Sequence, residues 1–209
     1  MNYTELVTEI QNYTENQFET TEIDTFIQQA EQRIYNSVQL PALRRNVTGS
    51  TTINNKYLSC PSDWLATFSL AVIDGDGNYT YLLNKDVNFI RAAYPAPTDT
   101  GLPEYYAVFD SNSFILGPTP SDSYAVELHY FYYPESIVTA GTTWLGNNFD
   151  STLLYGSLLE AYTYMKGEED VLKNYQSRYD MAMALLKQLG DGKDRRDAYR
   201  SGQVRMDVV

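Results

Sequence analysis

Helical patterns at both ends of this 209-residue chain enclose a middle segment with the texture of β-structure. Apolar residues recur at helical spacing before residue 46 and after residue 138, whereas the segment between carries short apolar runs separated by Gly and Pro. The economical architecture is a helical domain of residues 1–45 and 139–189 that carries a β insertion, residues 46–138. The predicted fold class is α+β: a four-helix bundle with an inserted small antiparallel β-sandwich or barrel and an extended C-terminal tail.

Two amphipathic patterns occupy the first helical segment. Residues 3–13 and residues 23–38 place apolar side chains at i, i+3, i+4 and i+7 type spacings, which predicts two helices. Thr20 and Thr21, followed by the acidic residue Glu22, predict the N-terminal cap and first turn of the second helix.

The middle segment predicts six short strands in about ninety residues, a density typical of a small sandwich or barrel. The residues 74–78 lie between two of these strands and predict a hairpin turn, as do the residues 110–112 between two others. A helical period within this segment is restricted to Asn84–Ala93. The predicted strands are Tyr57–Ser59, Thr67–Ile73, Tyr79–Leu83, Tyr105–Phe109, Ser113–Leu116 and Tyr124–Tyr133.

Helical patterns return at residues 148–151. The helix predicted to begin there is apolar over much of its circumference, which is typical of a helix buried between neighbours. Gly167 is expected to end it. The last helix begins at residues 168–170 and repeats apolar residues at spacings of three and four for under three heptads, which favours a bundle face over a dimeric coiled coil. The residues expected to serve subunit packing are Leu172, Tyr175, Tyr179 and Leu186.

After Leu189 the helical pattern is replaced by glycines and dense charge. Residues 190–209 carry too little apolar surface to offset the entropy of ordering them, so we expect an extended arm that is ordered by a partner. Five of the 15 Lys and Arg residues of the chain lie here, and Arg and Tyr are enriched at interface hot spots. The other interpretation of this arm is a solubilising end without a partner.

Composition excludes several classes of protein. The formal net charge of −12 argues against a nucleic-acid reader, which needs a basic face, but it is compatible with a wall past which DNA slides. The single cysteine excludes an intrachain disulfide. We expect no secretory leader and no membrane span, and therefore synthesis in the cytoplasm.

Chemistry-bearing residues are sparse. His129 is the single histidine and lies opposite Leu128 and Tyr130 by strand alternation, so a structural role is favoured over catalysis. Cys60 has only that histidine as a possible base. The Asp74–Asn78 segment fails as a calcium loop at its glycine and bidentate glutamate positions. We therefore expect no enzyme activity, no metal and no cofactor.

Three segments and the arm resemble the head-to-tail adaptor (connector) proteins of short-tailed bacteriophages. The likeness covers nearly the whole chain in order and architecture. The segments are Thr21–Tyr35, Leu128–Pro134 and Leu154–Tyr162, together with the Arg-rich arm.

This resemblance implies a structural virion protein at the head–tail junction, assembled in the host cytoplasm. Adaptors of this kind form homo-oligomeric rings, commonly of twelve subunits, below the portal protein, and they present surfaces for tail nozzle or fibre proteins. Viral DNA passes through the central channel without specific binding. The arm would lie on the portal, and the expected portal-binding residues are Arg195, Arg196, Tyr199, Arg200 and Arg205.

Two other functions stay open at this point. A glycan-binding or fibre-like tail module would use exposed tyrosines of the β segment to stack on sugars. A metal-dependent hydrolase would use Asp74 or Asp76. The tyrosines considered for the glycan-binding module are Tyr79, Tyr81, Tyr105, Tyr106, Tyr130 and Tyr132.

Overall fold

The computed structural model describes residues 1–194, which form seven α-helices and ten strands. The helices are α1 (Tyr3–Thr14), α2 (Thr20–Ser37), α3 (Val87–Ala93), α4 (Ile137–Ala140), α5 (Trp144–Asn148), α6 (Asp150–Met165) and α7 (Glu169–Asp194). The strands are β1 (Arg44–Ser50), β2 (Tyr57–Ser59), β3 (Ala66–Ile73), β4 (Tyr79–Tyr81), β5 (Leu83–Asn84), β6 (Thr100–Gly101), β7 (Tyr105–Asp110), β8 (Ser113–Gly117), β9 (Thr119–Pro120) and β10 (Ala125–Phe131).

The chain divides into two compact units. Met1–Leu43 and residues 134–194 form a helical unit, and Arg44–Tyr133 form a β unit. These boundaries lie within five residues of the limits expected from the sequence. The helical unit contains the four long helices α1, α2, α6 and α7 and also two short ones, α4 and α5, so it is more elaborate than the expected four-helix bundle.

Helix α6 is the central element of the helical unit. Its buried residues include two polar ones, Thr152 and Ser157, and a Cβ added at Gly156 would lie 3.2 Å from both Ala30 of α2 and Tyr179 of α7. Glycine is required there because both neighbouring helices approach it closely. This packing confirms the prediction of a helix buried between neighbours. Fully buried aliphatic residues of the unit include Leu6, Ile10, Ile23, Ile27, Ile34, Leu153, Leu158 and Leu186.

Strands of the β unit form two four-stranded sheets and one two-stranded sheet. The first sheet has the order β1-β10-β3-β4 and is antiparallel throughout, with Val47 opposite Leu128 and Leu128 opposite Leu70. The second has the order β2-β8-β7-β5. The pairings β5–β7 and β6–β9 are parallel, which corrects the purely antiparallel expectation, and among the described strands the sheets do not close into a barrel.

A single buried cluster joins side chains from both four-stranded sheets. Tyr106 and Phe114 pack edge to face with ring centroids 5.6 Å apart, and Trp64 packs on Phe114 at 5.5 Å. On the other side of the second sheet, Ile90 of α3 packs with Ala107 and Ile115. The β unit is therefore layered as sheet, sheet and helix. The shared cluster comprises Leu70, Val72, Leu82, Tyr106, Phe114, Leu116, Val126, Leu128 and Tyr130.

The hairpin between β3 and β4 is confirmed. The carboxylate of Asp74 accepts hydrogen bonds of 2.9 Å from the backbone N–H groups of both Asp76 and Asn78. Gly77 adopts a φ of 84°, which favours glycine. These bonds, with those of the Asn78 side chain first among them, hold the pKa of Asp74 below its usual range. The carboxylate of Asp74 therefore stabilises the turn.

Candidate assembly interface

Helix α7 extends five residues beyond its expected end. The sequence predicts termination at Leu189, but the helix runs from Glu169 to Asp194. Gly190 is buried, and a Cβ there would lie 2.8 Å from the backbone oxygen of Gln39 and 3.1 Å from Leu40. Gly190 therefore serves a close approach to the segment just after α2 rather than helix termination, and the residues 190–194 belong to the helix and not to an extended arm.

The five predicted portal-binding residues, Arg195, Arg196, Tyr199, Arg200 and Arg205, lie outside the described residues. Their role at the portal stays a prediction from the sequence. What the structure adds is the point from which this segment departs, because α7 carries the chain to Asp194.

The predicted subunit-packing residues fall into two groups. Tyr179 and Leu186 are 6 % and 0 % exposed in the single chain, so both side chains belong to the core of their own helical unit. Leu172 and Tyr175 are only partly buried. Subunit packing stays a prediction for Leu172 and Tyr175, whereas packing inside the protomer accounts for Tyr179 and Leu186.

A different face of α7 presents apolar side chains to solvent. Met181 and Leu185 are 69 % and 58 % exposed, and their spacing of four residues places them side by side on the helix surface. We call this pair the α7 ridge. Sequence analysis assigned the apolar residues of α7 to one face and missed this second one, although the i, i+4 spacing of Met181 and Leu185 is a signal that could have found it.

Four tyrosines meet where α1, α6 and α7 pack together. The ring of Tyr175 has its centroid 5.0 Å from that of Tyr162, 6.1 Å from that of Tyr155 and 6.4 Å from that of Tyr13. Burial, followed by a hydrogen bond with Tyr162, raises the pKa of Tyr175 to about 12. The guanidinium of Arg178 donates a hydrogen bond of 3.2 Å to the Tyr155 hydroxyl. This cluster accounts for part of the tyrosine excess as intramolecular packing.

The tyrosines considered for glycan binding are not equivalent. Tyr106 and Tyr130 are 5 % and 2 % exposed, so neither ring is free to stack on a sugar, which corrects that part of the expectation. Tyr79 and Tyr81 lie on β4 and are half exposed or more, with stacked rings 6.5 Å apart. Tyr105 and Tyr132 are partly buried.

Cys60 and His129, the two residues considered for catalysis, contact groups that give them structural roles. Burial, assisted by the charge of Asp110, raises the pKa of Cys60 to about 11, so its thiol is protonated at neutral pH. His129 contacts Asn46 at 2.8 Å and Glu127 at 3.1 Å. Within residues 1–194, no group of three or more His, Cys, Asp or Glu residues is arranged to hold a metal ion.

Comparison with known proteins places the chain in a family. Residues 1–207 match the family model of the SU10 adaptor protein. The chain belongs to the SU10 adaptor protein family. This confirms the resemblance stated from the sequence, and it covers both the helical and the β unit. No curated protein matches the chain.

Membership of the SU10 adaptor family gives the protein a structural role as a phage adaptor and a location in the virion. The family also implies interaction with portal and tail proteins. None of the helices in the described part of the chain is both long and apolar enough to cross a membrane.

Proposed function

We propose that this protein is a non-enzymatic subunit of a ring that joins the portal protein to the tail of a short-tailed phage. The observation that carries the proposal is the match of residues 1–207 to the SU10 adaptor family. In this account the copies form a homo-oligomeric ring below the portal, commonly of twelve, and the ring encloses a channel for DNA. Assembly takes place in the host cytoplasm.

The α7 ridge supports a contact between neighbouring subunits. Met181 and Leu185 expose large apolar side chains on α7, the longest of the described helices, and burial of such side chains against a neighbour is favourable by about 1.5–3 kcal/mol each. In a ring the contact is heterologous, so the ridge of one subunit meets a different surface of the next.

The C-terminal arm is the proposed portal anchor. Four arginines, Arg195, Arg196, Arg200 and Arg205, provide donors for charge-assisted bonds, and Tyr199 adds an aromatic ring. The segment follows α7, which packs at Gly190 against Gln39 and Leu40, the residues just after α2.

The acidity of the chain suits a channel through which DNA must slide. With 27 Asp and Glu residues against 15 Lys and Arg, the ring would repel phosphates rather than bind them. The β unit, Arg44–Tyr133, is the proposed attachment surface for nozzle or fibre proteins.

The role of the arm is tested by measuring the affinity of the portal protein for the full-length chain, for a truncated chain and for a variant with lysine in place of arginine. We expect the full-length chain to bind and a chain ending at Asp194 to lose most of that affinity. The truncation keeps all of α7, so the helical unit should unfold at the same temperature as in the full-length protein. Equal affinity of the two forms would rule out the arm as the anchor.

A matched control separates charge from arginine geometry. The variant in which Arg195, Arg196, Arg200 and Arg205 are all replaced by lysine keeps the charge but not the planar, bidentate donor group. We expect its affinity to lie between those of the other two forms. Affinity equal to that of the full-length chain would mean that charge alone anchors the arm.

A further inference from the structure

A pocket of about 270 Å³ opens on the β unit where two turns meet near Thr119. One turn supplies Asn54, Asn55 and Lys56 and leads into Tyr57, the first residue of β2. The other turn follows α3 and supplies Tyr94 and the segment 95–97. This volume is near the lower limit for small-molecule sites in proteins.

Backbone hydrogen bonds hold both turns in place. Asn54 donates its N–H to the Pro120 oxygen at 2.9 Å, and the Lys56 oxygen accepts the N–H of Leu116 at 2.8 Å. In the second turn, Ala96 donates its N–H to the Asp99 carboxylate at 3.0 Å, while Asp99 donates its own N–H to the Ala96 oxygen at 3.1 Å. The pocket is therefore formed before any ligand enters, which lowers the entropic cost of binding.

The lining combines ring faces with neutral hydrogen-bonding groups. Tyr57 and Tyr94 provide aromatic surface. The side-chain amides of Asn54 and Asn55 provide donors and acceptors, and the Asn55 oxygen already accepts one hydrogen bond of 3.1 Å from the Tyr57 N–H. Lys56 is the single charged residue among those described in the lining, and its ammonium lies 5.7 Å from the centroid of the Tyr57 ring. Such a set suits a ligand with one apolar face and a rim of hydroxyl groups, and it is poorly suited to a multiply charged phosphate.

We propose that this pocket binds a pyranose saccharide. The apolar face of the sugar stacks on a tyrosine ring, and its hydroxyl groups bond to the amides of Asn54 and Asn55 and to the Lys56 ammonium. This site is separate from the proposed ring and portal contacts, which belong to the helical unit and the arm, and it does not use the tyrosines of β4.

Exposed aromatic surface continues beyond the pocket. Phe109 is 39 % exposed, and the centroid of its ring lies 5.0 Å from that of Tyr57. The guanidinium of Arg91 lies 5.6 Å from the centroid of the Phe109 ring. A second sugar residue leaving the pocket would meet this ring. The site is accordingly suited to an oligosaccharide, with a disaccharide binding more tightly than a monosaccharide.

Saturation-transfer NMR on the full-length chain tests the proposal. The probes are the methyl β-glycosides of glucose, galactose and N-acetylglucosamine, the disaccharides maltose and lactose, and the nucleoside adenosine as a planar competitor that has no pyranose ring. We expect at least one sugar to receive saturation and to shift the backbone amide resonances of residues 54–57. Absence of transfer to every sugar, or pocket shifts caused by adenosine alone, would overturn the proposal.

Variants assign the binding to the pocket. Tyr57→Ser and Lys56→Met should each weaken sugar binding about tenfold, since each removes one principal contact. Tyr81→Ser is the matched control because Tyr81 is 64 % exposed and lies on the other sheet, so it should leave binding unchanged. Lys56→Met keeps the aliphatic part of the lysine side chain and removes only its ammonium group. The sugar affinity of this variant therefore tests the site even if Tyr57→Ser disturbs folding. Undiminished binding by Lys56→Met and Tyr57→Ser would overturn the assignment.

Discussion

The carboxylate of Glu31 accepts a hydrogen bond of 2.9 Å from the backbone N–H of Ile137, which lies 106 residues further along the chain. Glu31 belongs to α2 and is 3 % exposed, and Ile137 is the first residue of α4. The entire β unit lies between the two residues in the sequence. This bond therefore fixes the place where the chain re-enters the helical unit.

Replacing Glu31 by glutamine distinguishes the contribution of its hydrogen bond to stability from the contribution of its charge. Burial raises the pKa of Glu31, against the opposing effects of Ser136 and the Ile137 N–H. Its protonated form thus favours folding, and this contribution is lost as the pH rises through the folded-state pKa. Glu31→Gln keeps an acceptor without the charge, so its stability relative to the wild type should increase from acid to neutral pH.

Glu31→Ala is the companion variant, because it leaves the Ile137 N–H buried without its acceptor. We expect it to lose about 1–3 kcal/mol of unfolding free energy at neutral pH. Urea unfolding between about pH 4 and pH 8 measures both variants. A glutamine variant as unstable as the alanine variant at neutral pH would contradict this account.

Gly190→Ala should destabilise the helical unit. The added Cβ would lie 2.8 Å from the Gln39 backbone oxygen, so α7 or the segment just after α2 must move, at a cost of about 1–3 kcal/mol. Gly75→Ala is the matched control, since nothing lies within 4 Å of its added Cβ. Thermal unfolding followed by circular dichroism distinguishes them. Equal melting temperatures for the two variants would show that α7 does not pack on Gln39 and Leu40 at this point.

The α7 ridge should matter for assembly and not for folding. Met181→Glu together with Leu185→Glu places two carboxylates on a surface that is already exposed, so the unfolding free energy should change by no more than about 0.5 kcal/mol. Ring formation with the portal should be lost, because the carboxylates would be buried without partners. Analytical ultracentrifugation of the mixture with portal measures this.

The control adds the same charge elsewhere on the helical unit. Gln28→Glu with Gln29→Glu alters two exposed positions of α2 and should leave assembly intact. Rings formed equally well by the ridge variant and this control would remove the ridge from the subunit interface.

Periodicity located most elements but not the contacts made by single residues. The α6 pattern is apolar over much of its circumference, and α6 is central. Strand alternation places His129 opposite Leu128 and Tyr130, and in β10 those two residues are buried whereas His129 is only partly buried. Strand β1 was missed because Arg44–Ser50 is polar and mostly exposed, and its place is determined by pairing with β10. Gly190 was misjudged because a glycine that permits close helix packing and one that ends a helix are identical in sequence.

Short-range sequence patterns also do not predict the hydrogen bonds that Asp63 makes within the β unit. The hydroxyl of Tyr130, a core residue, donates a hydrogen bond of 2.8 Å to Asp63, whose second oxygen accepts one of 2.6 Å from Arg45. Burial opposes ionisation of Asp63, but these two bonds dominate and hold its pKa below the usual range. No local pattern predicts a pairing across 67 residues.

Tyr130→Phe should lower the unfolding free energy by about 1.5–3 kcal/mol at neutral pH, because it removes a hydrogen bond to a charged group. A lowered folded-state pKa stabilises the fold above the unfolded pKa, and this stability is lost as the pH falls through the folded value. The difference between wild type and variant should therefore shrink in acid. Tyr81→Phe, at an exposed tyrosine, is the control, and urea midpoints that match for both variants would contradict the role of this bond.

The adaptor account is tested most directly by negative-stain imaging of this protein mixed with the portal protein of the same genome. We predict a ring seated below the portal on its symmetry axis, formed by the full-length chain and absent with the chain ending at Asp194. Portal particles that carry no added ring with either form would contradict it.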